Sequence, residues 1–236
     1  EQHIASVFDR DLEAVQARIM KMGGLVEAAI MEAARSLETR DEELANKVRR
    51  GDAAIDALED MINQDTARLI ALRAPAAGDL RIVLTVMKIS ANLERIGDYA
   101  KNIAKRTGVL SQQPPVNDSA ASLRRMAREV ELMLKDALDS YIQRDTELAR
   151  DVIDRDREVD QMYNALFREF ITFMMEDPRY ITPCMHLHFI AKNTERMGDH
   201  VTAIAEQVIY LVTGQMPEDT RVKSGLPDAE ENTSNS

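Results

Sequence analysis

Asn92-Leu93-Glu94-Arg95-Ile96-Gly97-Asp98 returns 101 residues later as Asn193-Thr194-Glu195-Arg196-Met197-Gly198-Asp199, and both copies continue into an Ile-Ala pair, Ile103-Ala104 and Ile204-Ala205. Seven of the fourteen positions from Asn92 to Lys105 are identical in the second copy. A second block agrees: Ser36 to Asp56 aligns on Ser140 to Asp160 at an offset of 104, with nine of 21 positions identical, including Arg40-Asp41 on Arg144-Asp145. The offset change places a three-residue deletion in the loop between the blocks, where length is normally absorbed. A repeat of about a hundred residues indicates a duplicated domain rather than a solenoid unit.

The composition is that of long helices: no Trp, few Gly and Pro, and many Ala, Leu, Met, Glu and Arg. Apolar residues at Leu12, Val15, Ile19, Met22, Val26 and Ile30 predict a first helix from Ser6 to about Leu37, which Gly23-Gly24 could loosen in the middle. Asp41 is placed to cap a second helix running to about Leu72. After a break at Pro75 and Gly78, a third helix runs from Leu80 to Lys105 and ends at Thr107-Gly108. The second unit repeats the plan, with helices at about Ser119 to Ile142, Asp145 to Met175 and Pro183 to Val212.

The expected fold is therefore all-α, six long helices in two tandem three-helix bundles. The first bundle spans residues 4–110, the linker with Pro114-Pro115 spans 111–118, and the second bundle spans 119–214. A polar, acidic tail over 215–236 is expected to be disordered.

A net charge of −11 without a concentrated basic stretch argues against nucleic acid as the main partner. The single cysteine, Cys184, excludes an intrachain disulfide, fits a reducing compartment and reads as a small buried apolar residue. No apolar run approaches the ~20 residues that span a bilayer, and no signal peptide is visible in this sequence.

The repeated blocks carry acidic pairs four residues apart: Asp52 with Asp56 and Glu94 with Asp98, then Asp156 with Asp160 and Glu195 with Asp199. Glu94, Asp98 and Asn102 stack at i, i+4 and i+8 opposite the apolar stripe, and Asp52 and Asp56 fall on a polar flank of the preceding helix. Like charges at this spacing cost ~0.2–0.5 kcal/mol per pair in an isolated helix. On a solvated face, Arg95 and Lys101, each three residues from Asp98, and Arg49, three from Asp52, would offset that cost. Recurrence in both copies favours a second reading. If the second and third helices are antiparallel neighbours, the two pairs of a copy approach one another, and such a set of carboxylates with an amide suits a hard or borderline cation. His188 lies on the face of Glu195 and Asp199 and could add a nitrogen ligand; His200 points about 100° away from Asp199 and is not assigned to the metal.

The chain resembles the PhoU family, accessory regulators of bacterial phosphate-specific transport. The likeness runs from His3-Ile4 and Phe8-Asp9 through Met22-Gly23-Gly24-Leu25 to both Glu-Arg-x-Gly-Asp motifs. It implies metal ions (iron, zinc, manganese or magnesium) held by Glu/Asp-x-x-x-Asp/Asn motifs. It also implies negative control of the phosphate-starvation response through the transport ATPase PstB and the sensor kinase PhoR. Carried onto this chain, the first metal site would use Asp52, Asp56, Glu94, Asp98 and Asn102, and the second Asp156, Asp160, Glu195 and Asp199. Ala203 stands where the first site has Asn102, so the second would bind more weakly, take fewer ions or recruit His188.

The resulting expectation is a non-enzymatic regulatory adaptor in the cytoplasm. It would lie peripheral to the inner membrane, touching the membrane only through protein partners, and could form a homodimer. The alternative is a carboxylate-bridged di-iron oxidase or ferroxidase, but those sites use two Glu-x-x-His motifs, and none of the four His has Glu three positions before it. Exposed Leu80, Leu84 and Met87 beside the acidic strip offer a seat for a partner helix.

Overall fold

The computed structural model describes residues 2–73 and 77–217. Six helices account for nearly all of them: α1 (Gln2–Thr39), α2 (Glu42–Arg73), α3 (Ala77–Ser111), α4 (Ser119–Gln143), α5 (Thr146–Glu176) and α6 (Ile181–Thr213), with a 3₁₀ turn at Pro178–Tyr180 before α6. The break expected at Pro75 and the tail beyond residue 217 lie outside the described residues.

The repeated Arg-Asp pair makes the same turn in both halves. Arg40 and Arg144 adopt left-handed backbone angles, φ 55 and 58. The N–H of Asp41 then reaches back to Ser36 O at 2.9 Å, and that of Asp145 to Ser140 O at 3.0 Å. This bond, from the second residue past the helix end to the carbonyl of the fourth-last helical residue, closes the preceding helix. Each aspartate also opens the next helix: Asp41 Oδ1 accepts from Leu44 N at 2.9 Å, and Asp145 Oδ1 from Glu147 N and Leu148 N at 3.0 Å.

The structure corrects one expected helix end and shows what packs at two other places. The glycine pair does not loosen α1, which is continuous; Gly23 is where Leu138 of α4 presses against the α1 backbone, in space a Cβ would fill. Gly108 does not end the third helix, which continues to Ser111. Packing overrides the glycine there, because Thr107 is buried with its Oγ1 3.1 Å from Ser36 Oγ, and Leu110 is buried one turn on. The linker also packs: Val116 is buried and its carbonyl accepts from Ser119 N.

Within each half the three helices pack on one another, and across the halves α1 meets α4 and α3 meets α6. The buried side chains of both halves, among them Val26, Ile96, Val130 and Val201, form one continuous core. Each such aliphatic residue contributes about 1.5–3 kcal/mol relative to leaving it in water. Helices α3 and α6 run antiparallel: Arg106 of α3 meets His186 near the start of α6 at 2.9 Å, and Asn92 meets His200 at 2.8 Å. The two copies of the motif that begins at Asn92 and Asn193 therefore lie side by side in the middle of the molecule.

Candidate metal centre

Gly97 and Gly198 position the acidic groups. A Cβ on Gly97 would stand 3.1 Å from Ile55 Cδ1 and 3.8 Å from Asp52 Oδ1; one on Gly198 would stand 2.9 Å from Asp156 Oδ1 and 3.5 Å from Val159 Cγ1. The motif glycine thus lets α2 approach α3, and α5 approach α6, at the level of Asp52 and Asp156. Both aspartates are buried, 6% exposed, rather than on a polar flank as their helix spacing predicts.

In the first half the structure brings Asp52, Asp56, Glu94 and Asp98 to one α2–α3 seam, together with Glu59 and Lys101. Lys101 Nζ donates to Asp52 Oδ2 and, at 2.7 Å, to Asp98 Oδ1. Arg95 adds a longer contact to Asp98, 3.7 Å. Burial acts to raise Asp98, but hydrogen bonds from Lys101 and Glu94 outweigh it and hold Asp98 below the usual carboxylate range. Burial acts downward on Lys101, and its bonds to Asp52 and Asp98 outweigh that and push it up.

Glu94 moves the other way. Burial, the hydrogen bond to Asp98 and the charges of Asp98, Glu59 and Asp56 raise it to about 7. Burial and the neighbouring Asp52 likewise raise Asp56. One ammonium therefore does not neutralise this seam. Asp52 Oδ1 is buried with no hydrogen-bond partner, and Asn102 Oδ1 receives only a long contact, 3.4 Å, from Lys105.

The second half differs in the residue that matters most. Thr202 occupies the position of Lys101, and its hydroxyl is turned back to Gly198 O at 3.0 Å. Glu195 pairs instead with Lys192 at 2.9 Å. Lys192 Nζ also stands 5.1 Å from the centre of the Tyr163 ring. His188 packs among the rings of Tyr163, at 5.9 Å, and Phe167, at 5.2 Å, on α5. Burial, and then Lys192, lower its pKa.

Among the described residues, no three carboxylate, imidazole or thiol groups stand together in a metal-binding arrangement. The donor chemistry nevertheless suits a hard cation: carboxylate and amide oxygens, one of them buried and unpartnered, beside carboxyl groups whose protons are held unusually tightly. In the first half a side-chain cation, the Lys101 ammonium, already lies between two of these carboxylates. Spacing alone paired Lys101 with Asp98; its reach to Asp52 and the presence of Glu59, one turn beyond Asp56, needed the helix pairing.

Two blocks of the chain, residues 19–107 and 123–208, match the family model described as PhoU domain. The chain belongs to the PhoU family. It is 43% identical over 224 residues to the phosphate-specific transport system accessory protein PhoU homolog of Rhizobium meliloti (strain 1021), covering 95% of this chain and 94% of that one. The homolog of the same description from Zymomonas mobilis is 47% identical over 225 residues, again 95% and 94% of the two chains. Among solved structures, PhoU from Pseudomonas aeruginosa superposes with a TM-score of 0.84 at 38% identity, covering 88% of this chain and all of that one. The phosphate transport system regulatory protein PhoU from Streptococcus pneumoniae gives 0.83 at 29% identity, covering 89% and 99%.

Proposed function

We propose that the chain is a non-enzymatic accessory regulator of a phosphate-specific transport system, restraining uptake and the starvation response when phosphate is plentiful. Near full-length similarity to relatives described as accessory or regulatory proteins carries this reading. Its protein partners are the transport ATPase PstB and the sensor kinase PhoR, at the inner face of the cytoplasmic membrane. No helix among the described residues is long and apolar enough to cross a membrane, so attachment there runs through contacts at the surface. Deleting the gene should derepress a phosphate-starvation reporter in high phosphate, and unchanged output would overturn the assignment.

The acidic seams are metal-binding elements of that regulator. Asp52, Asp56, Glu94, Asp98 and Asn102 would supply oxygen ligands in the first half, and Asp156, Asp160, Glu195 and Asp199 in the second. A bound cation would neutralise the surplus carboxylate charge and tie α2 to α3 and α5 to α6. Because Lys101 already binds Asp52 and Asp98, uptake in the first half requires its ammonium to move away. Elemental analysis of protein purified without chelator, comparing wild type with Asp98→Ala and Asp199→Ala, tests this: stepwise loss of iron, zinc, manganese or magnesium supports two sites, and metal-free wild type that takes up none removes them.

A further inference from the structure

The chain carries −11 overall, yet α3 and α6 together hold eight Lys and Arg against six Asp and Glu, leaving −13 for everything else. The cations share one outward face with exposed apolar side chains. On α3, Leu84, Lys88, Arg95, Lys105 and Val109 fall within an arc of about 100°. On α6, Ile181, Met185, Phe189, Lys192 and Arg196 do the same. Ile181, Met185 and Phe189 are 46%, 58% and 38% exposed, and Leu84 and Val109 are both 42% exposed.

Side chains of the two arcs meet, so the face is continuous. Arg106 of α3 lies over the Phe189 ring of α6 at 3.7 Å, and Lys88 of α3 stands 5.9 Å from the Tyr210 ring of α6. The face is about 37 Å long from Leu84 to Val109 at 1.5 Å per residue. Asp98 and Asp199 fall within the two arcs and Glu206 at the edge of the second; Asp98 is bound by Lys101 and contacted by Arg95, so cations outnumber acids along the face.

We propose that this α3–α6 face binds directly to an anionic lipid surface, with Lys88, Arg95, Lys105 and Arg196 over the headgroups and Met185 and Phe189 entering the interface. The proposal is independent of the transport assignment and adds a contact that needs no protein partner. Three features favour a bilayer over an acidic protein. The cations are spread along two adjacent antiparallel helices instead of lining a groove, the exposed apolar groups include the thioether of Met185 and the ring of Phe189 beside three aliphatic side chains, and the net charge of these two helices, opposite in sign to that of the whole chain, favours turning this face toward negative charge.

The test is co-sedimentation of the purified chain, in chelator, with vesicles of phosphatidylglycerol and phosphatidylcholine or of phosphatidylcholine alone. Binding is expected only to the anionic vesicles and should fade with added salt as the Debye length shrinks. Lys88→Glu with Lys105→Glu should weaken it by about a hundredfold or more. Met185→Ser with Phe189→Ser should weaken it by about tenfold or more. Lys21→Glu with Arg35→Glu, on the exposed side of α1, should change it little; circular dichroism checks that each variant remains helical. Equal binding to neutral vesicles, no binding at all, or full retention by the Lys88/Lys105 variant overturns the proposal. A wild type that ignores anionic vesicles but loses a membrane-protein partner on Lys88/Lys105 reversal would assign the face to protein instead.

Discussion

His200 Nδ1 of α6 lies 2.8 Å from Asn92 Oδ1 of α3, a hydrogen bond between the two copies of the repeated motif. The Asn92 amide is fixed by its own Nδ2, which donates to Lys88 O at 2.8 Å, so Oδ1 accepts and His200 carries its proton on Nδ1. The imidazole also tilts against the Tyr99 ring at 5.7 Å. Burial holds its pKa down, with the Arg95 charge acting the same way and Asp199 opposing. A double-mutant cycle of Asn92→Ala and His200→Ala should give a coupling of about 1 kcal/mol. Strict additivity in urea unfolding would mean the bond contributes nothing.

The adjacent glycines of α1 should respond with opposite signs. Gly24→Ala meets no atom within 4 Å and should stabilise by about 0.5–1 kcal/mol through helix propensity. Gly23→Ala places its methyl in the space of Leu138 and should cost about 1–3 kcal/mol by overpacking. Chemical denaturation of the two variants distinguishes them, and a stabilised Gly23→Ala would show that the α1–α4 approach is loose.

Lys101→Met removes the ammonium between Asp52 and Asp98 and leaves Asp52 buried without it. Stability in chelator should fall by about 2 kcal/mol. Manganese affinity, read by titration calorimetry, should rise, because the internal cation no longer competes. Unchanged or weaker metal affinity would show that Lys101 does not hold the place of a metal ion.

Glu94 gives the pH dependence a sign. Its folded pKa of about 7 lies above the ordinary 4.5, so the folded state binds the proton more tightly. Its stabilising contribution is present below pH 4.5 and is lost as pH rises from there through 7. The group is only partly buried, so solvent screening reduces the effect to about 1 kcal/mol. In chelator, Glu94→Gln should raise Tm by about 2–4 °C at pH 8 and leave it nearly unchanged at pH 4. An equal rise at both pH values would point to packing instead of charge.

Sequence alone determined the duplication, the six helices and the acidic pairs, because each is written in local periodicity. Arg40-Asp41 and Arg144-Asp145 even specify their turns, since a helix stop and the next cap need only a left-handed residue followed by a side-chain acceptor. The helix end expected at Gly108 was misread, and Gly23-Gly24 leaves the expected single helix α1 unbroken, for one reason. A glycine's cost is local, whereas burial of Thr107 and Leu110, or the pressing of Leu138 on α1, depends on a partner about 70 to 115 residues away in the chain.

Tertiary structure alone decided how charge is distributed over the pairs. Helix angles put Asp52 on a polar flank, but Gly97 admits α2 so closely that the carboxylate is buried, and the same approach carries Asp52 to Lys101. The antiparallel register of α3 and α6 then sets one motif copy against the other and gathers cations from both helices on one face. Periodicity fixes which side of a helix a residue occupies; only packing fixes what stands opposite it, and charge is neutralised or exposed by what stands opposite.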